Sequence, residues 1–142
     1  MASLENRKDI ELINPVTLAF LGDAVFSLWV RERLVRAGGG KAADFQRAAA
    51  KLESARGQSA LIERILPLFT EKEEEIYRRG RNAKKATKSK NADAVDYNRS
   101  TGLEAVIGYL YLSGENARID ELLSRMDEEK LQGEKAPTAY KP

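Results

Sequence analysis

The chain has 142 residues, 42% of them hydrophobic, and a net charge of +2. That length and apolar content fit one domain with a proper core and exclude wholesale disorder. The absence of cysteine and histidine excludes disulfides, thiolate metal sites, the usual zinc ligands and any histidine-based triad, and points to a reducing compartment.

Residues 1–13 read as a short leader, at most a weak helix, without the apolar core of a signal peptide. Asn14-Pro15 opens a helix, with Asn at the N-cap and Pro at the first helical position. This helix should run to about Ala37 and end at Gly38-Gly39-Gly40. On a wheel Leu18, Leu21, Val25, Leu28 and Trp29 form one stripe, while Val16, Phe20, Asp23, Ser27 and Val30 fall opposite. Apolar residues therefore cover nearly the whole circumference, which predicts burial on all sides, in a core or across a subunit interface. The helix is too short between charges to span a bilayer, so the expected location is the cytoplasm, with no membrane partner.

Residues 42–53 read as a second helix. Ser54 caps a third, from about Ala55 to Leu66, with Leu61, Ile62, Ile65 and Leu66 inward and Pro67 closing it. Thr70-Glu71-Lys72-Glu73 is a capping box that opens the next helix, through Ile76 and Tyr77. Residues 78–90 hold seven basic residues and no acidic one, with little apolar pattern, and read as loop. From about Asp93 a helix carries Tyr97, Leu103, Val106, Ile107 and Leu110 inward. A last helix, about Ala117 to Met126, turns Ile119, Leu122, Leu123 and Met126 inward. Residues 127–142 read as a polar tail. With no strand pattern, the fold class is all-α.

Two carboxylates stand out. Asp23 is the sole formal charge between Leu12 and Val30, and Glu104 is the sole charge in the stretch from Ser100 to Gly108. Read alone, each is first a buried structural group with a polar partner. Together they suggest more. Both sit inside apolar helices and beside small residues, Gly22 and Ala24 in one case, Ala105 and Gly108 in the other. Two neighbouring carboxylates repel unless one is protonated or a cation lies between them. Magnesium suits such a pair, because it takes oxygen ligands and keeps several waters.

The basic stretch supplies Arg78, Arg79, Arg81, Asn82, Lys84, Lys85, Lys88 and Lys90 as candidate RNA contacts. Its other reading is a solvated loop. Such residues grip a phosphate backbone without reading sequence. No aromatic residue lies between Tyr77 and Tyr97, which disfavours base stacking and mildly favours a duplex. A hard cation beside a phosphate grip suggests phosphodiester hydrolysis.

Leu18-Ala19-Phe20-Leu21-Gly22-Asp23-Ala24-Val25 resembles the signature of the ribonuclease III catalytic domain, where Glu-Phe-Leu-Gly-Asp is usual. The stretch from Leu103 to Leu112 resembles that family's second acidic helix. The order and spacing, with Arg79-Gly80-Arg81-Asn82-Ala83-Lys84 between, resemble its small branch, Mini-ribonuclease III, over roughly residues 14–126. The resemblance implies a symmetric homodimer of helical bundles cutting double-stranded RNA with magnesium, manganese substituting, and Asp23 and Glu104 as catalytic, metal-binding residues. It also implies a role in maturing the ends of large-subunit (23S) ribosomal RNA precursor, with a ribosomal protein as a candidate presenter of the RNA. The larger enzymes carry two further acids, where this chain has Ala19 and Thr101. The small branch lacks them too, so waters or substrate oxygens would complete the magnesium shell. The alternative class is a non-catalytic duplex-RNA-binding or ribosome-assembly protein on the same fold, with Asp23 structural.

Overall fold

A computed structural model describes residues 7–84 and 92–126. Lys85, Lys88, Lys90 and the expected tail at 127–142 lie outside these residues. Among the described residues every regular element is helical, as the patterns predicted. The helices are α1 Arg7–Glu11, α2 Pro15–Ala37, α3 Ala42–Glu53, α4 Ala55–Ile65, α5 Glu71–Asn82, α6 Ala92–Leu112 and α7 Asn116–Leu123. Short 3-10 turns follow α4 at Leu66–Leu68 and α7 at Ser124–Met126.

The caps act where the sequence placed them. The Val16 amide donates to Asn14 Oδ1 at 2.8 Å, and the Gly57 amide donates to Ser54 Oγ at 3.0 Å. Thr70 and Glu73 exchange both bonds of a capping box. Glu73 is only 4% exposed, and its carboxylate accepts two bonds from Arg118 of α7, at 2.9 and 2.8 Å. This pair ties the start of α5 to α7. Burial raises the Glu73 pKa, but Arg118 and the Thr70 amide outweigh that and hold it below its ordinary value.

Helix α6 is the axis of the bundle, with α2, α4 and α5 laid against it. Leu103, Ala105, Val106, Ile107 and Leu110 are buried on it almost completely. Glycines set how near its neighbours come. A Cβ on Gly22 of α2 would lie 1.7 Å from the Glu104 carbonyl oxygen, and one on Gly108 would lie 2.0 Å from that of Leu18. The two backbones therefore touch, as only glycine permits. On the other side of α6, a Cβ on Gly102 would meet the Tyr77 ring at 2.7 Å.

Several expectations are corrected. The buried line of α2 is Leu18, Ala19, Gly22, Phe26, Val30 and Leu34, which follows neither stripe of the wheel. Leu28 is 65% exposed and Phe20 83%. Within the chain α2 is therefore buried along one face only. A helix apolar all round gives the wheel no contrast, and the face was chosen instead by the small residues that let α6 approach. Tyr97 and Leu66 are likewise exposed rather than inward. The leader is partly core, because Ile10 is 2% exposed. Helix α5 continues through Asn82, so the first third of the basic stretch is helix and not loop.

Candidate active site

Asp23 lies on the exposed side of α2, so it does not bear the burial cost that the sequence suggested. Glu104 lies half-buried on α6. The glycine contact beside them brings their carboxyl groups within hydrogen-bonding contact. Both line one cleft of about 410 Å³, together with Gln58, Glu53, Tyr97 and Phe20. A larger groove of about 680 Å³ runs past Trp29 and Tyr111, but neither Asp23 nor Glu104 lines it.

Burial pushes the Glu104 pKa up to about 8, the Asp23 hydrogen bond adds to the rise, and the Gln58 amide opposes it. Without a cation, Glu104 keeps its proton well above the ordinary carboxylate range. Between its ordinary value of 4.5 and about 8 the folded chain binds a proton that the unfolded chain has released. Stability from this group is therefore complete below the first value, declines with rising pH, and is gone above the second. The chain has no histidine to titrate in that window. In chelator, the wild-type melting temperature should fall between about pH 5 and pH 8. In Glu104→Gln this fall should be absent. Thermal melts at stepped pH read both.

The residue types fit a hard divalent cation. Two carboxyl groups meet in a cleft open to solvent and offer the oxygen donors that such an ion takes. Among the described residues no third Asp or Glu joins them as a ligand group, so water and substrate oxygens would complete the shell. The positions where the larger enzymes carry acids, Ala19 and Thr101, also line this cleft. Ala19 is buried, and the Thr101 hydroxyl donates to the Tyr97 carbonyl at 3.1 Å.

The basic candidates separate. Arg79 has a structural task, donating to the carbonyls of Glu11 at 2.7 Å and Ile13 at 3.3 Å. Arg81 lies over the Tyr77 ring at 5.6 Å and donates to Asn82 Oδ1 at 3.1 Å. Arg78, Asn82 and Lys84 are exposed. The end of α5 meets α6 beside Gly102, where a Cβ on Gly80 would come within 2.9 Å of the Gly102 Cα. None of the described basic residues lines the cleft that holds Asp23 and Glu104. Sequence reasoning missed Gln58. The signal for it was an amide at the helical spacing of Leu61, Ile62 and Ile65, on a face otherwise apolar.

A helical bundle that presses two acidic helices together through glycine defines a class: residues 16–115 match the Ribonuclease III domain family, whose members are divalent-metal nucleases. The chain is 48% identical over 118 residues to Mini-ribonuclease 3 of Streptococcus pneumoniae, covering 82% of this chain and 92% of that one. It is 45% identical over 109 residues to Mini-ribonuclease 3 of Symbiobacterium thermophilum, covering 77% and 84%. A crystal structure of a Fusobacterium nucleatum protein superposes with a TM-score of 0.76 at 27% identity, covering 87% of this chain and 98% of that one. The chain belongs to the Mini-ribonuclease 3 family, and it is an endoribonuclease. Among its described residues no helix is long and apolar enough to cross a membrane.

Proposed function

We propose that the chain is a magnesium-dependent endonuclease of double-stranded RNA that acts in the cytoplasm, as a homodimer, on the ends of 23S ribosomal RNA precursor. The observation that carries this reading is the contact between the Asp23 and Glu104 carboxyls in one open cleft. Asp23 and Glu104 would hold the magnesium ion, with the Glu104 carboxyl in its ionised form. When bound, the cation polarises a phosphodiester oxygen and supplies an activated water at neutral pH. The test is cleavage of a duplex RNA, and of its separated strands, in magnesium, in manganese and in chelator. Cutting of the duplex with either metal and none in chelator is expected. An intact duplex in both metals removes the reading.

The RNA grip belongs to the exposed basic residues at and beyond the end of α5. Such contacts release counterions, so each makes binding more salt-dependent. Arg78→Ala with Lys84→Ala should weaken duplex binding in chelator. The slope of log affinity against log salt should drop by about one for each phosphate no longer neutralised. An unchanged slope removes these two residues from the interface. Arg79 is left out of this test because its guanidinium holds the leader.

The homodimer is supported by the face that α2 leaves uncovered. Phe20 and Val16, one turn apart, are 83% and 39% exposed on it, an apolar surface that suits a twofold partner presenting the same face. Sedimentation of the wild type should give twice the 15.8 kDa chain mass. Phe20→Asp should sediment at the single-chain mass with its helical signal intact. A wild type that is monomeric at micromolar concentration contradicts this assembly.

A further inference from the structure

We propose that Gln58 is a positioning residue for Glu104: its side-chain amide clamps the Glu104 carboxylate to the end of α3, so that a divalent cation meets it in one orientation. The inference rests on the reading of Glu104 as a cation ligand and goes beyond it to what aims that ligand.

Gln58 lies in the first turns of α4 and is 2% exposed. Its Nε2 donates to Glu104 Oε2 at 3.2 Å and to the Glu53 carbonyl oxygen at 3.0 Å. The Glu53 carbonyl is the last of α3, one of the acceptors that a helix end leaves without an internal partner. One amide therefore joins three helices. The backbone around it is fixed in turn. Ser54 Oγ accepts from the Gly57 amide at 3.0 Å and donates to the Lys51 carbonyl at 2.8 Å, and the Gln58 amide N–H donates to the Ser54 carbonyl at 2.9 Å. A Cβ on Gly57 would lie 2.4 Å from the Lys51 carbonyl oxygen, so α3 and α4 meet closely at this point.

The orientation of the amide follows from its neighbours. A backbone carbonyl can only accept, so the NH2 group must face Glu53, and the same group reaches Glu104. The oxygen, Gln58 Oε1, is then buried with no hydrogen-bond partner. Buried acceptors are nearly always satisfied, and an exception needs a reason. Packing alone would favour an apolar residue here, as at Leu61, Ile62 and Ile65 on the same face. The chain instead accepts an orphaned oxygen to gain two N–H donors, and one of them holds Glu104.

Gln58→Met keeps the length and volume of the side chain, removes the donors and removes the orphaned oxygen. A residue that serves only packing would keep cation affinity on this change. A positioning residue would lose it without losing the fold. Groups that orient a metal ligand typically contribute about 10–100-fold in affinity or activity. Manganese uptake, read from the loss of the free-ion paramagnetic resonance signal, should weaken about tenfold or more in Gln58→Met. The magnesium concentration that half-saturates duplex cleavage should rise by a similar factor. The melting temperature in chelator should stay or rise, and duplex binding in chelator should not change. Gln58→Leu should behave in the same way. Manganese affinity within about twofold of wild type in both variants overturns the inference, as does a loss of affinity that comes only with loss of helical signal. A wild type that neither takes up manganese nor cuts duplex RNA overturns the ligand role of Glu104 itself, and this inference with it.

Discussion

Glu104→Gln should fold, melt at least as high as the wild type in chelator at pH 8, and cut duplex RNA at least about a thousandfold more slowly. The two effects have one cause. Burial and the Asp23 carboxyl make an ionised Glu104 unfavourable, which is why its pKa stands at about 8. A neutral amide of the same shape removes that penalty. It can still accept from Gln58 Nε2, which sits 3.2 Å from the carboxylate oxygen it replaces. On the role proposed for Glu104 the same change removes one of two cation ligands, and Lewis-acid stabilisation of a phosphoryl transition state is worth several kcal/mol. Each 1.36 kcal/mol is tenfold in rate, so the loss exceeds about a thousandfold. Magnesium should also raise the wild-type melting temperature and not that of Glu104→Gln, because a ligand stabilises the state it binds. A variant that loses activity and stability together would make Glu104 a structural residue.

Gly22→Ala should cost about 4 kcal/mol or more, above the usual overpacking penalty of 1–3 kcal/mol. The added methyl would meet the Glu104 carbonyl oxygen at 1.7 Å and the Gly108 amide nitrogen at 2.9 Å. These are backbone atoms of the central helix, which cannot swing aside as a flexible side chain would. Relief requires α2 to slide or rise on α6, and either movement parts Asp23 from Glu104. The expected result is a melting temperature lower by about 10 °C or more, with cleavage lost even where some helical signal remains. Gly108→Ala should act in the same direction, since its methyl would lie 2.0 Å from the Leu18 carbonyl oxygen. Calorimetry beside a cleavage assay reads both. A Gly22→Ala protein that melts within about 2 °C of wild type would show that the helices need not touch here.

Much of this fold was legible because its starts are written in short-range chemistry. Asn14-Pro15, Ser54 and the Thr70–Glu73 box each satisfy backbone donors within three residues, so sequence alone located the beginnings of α2, α4 and α5. The inward face of α2 was not legible. Leu, Val and Phe surround it, and only the partner helix chooses a side. The clue was Gly22, a small residue beside Asp23 whose missing side chain lets the α6 backbone come into contact. Asp23 and Glu104 were found because lone charges in apolar runs stand out, but the burial cost assigned to Asp23 proved to belong to Glu104. Gln58 escaped notice because a neutral amide near a helix start looks like surface. Its role depends on the Glu53 carbonyl and on Glu104, 46 residues further along the chain. Arg79 misled in the opposite sense. In a run of basic residues it looked like an RNA contact, and the groups that engage it, the carbonyls of Glu11 and Ile13, are set by the fold.

Asp23 and Glu104 acting as a cation-holding pair on duplex RNA is the central claim. The most direct measurement is cleavage and binding of one duplex by wild type and Asp23→Asn, side by side in magnesium. Wild type should cut the duplex, while Asp23→Asn should bind it with similar affinity and leave it whole. An Asp23→Asn protein that still cuts, or a wild type that binds the duplex and leaves it intact, would contradict the claim.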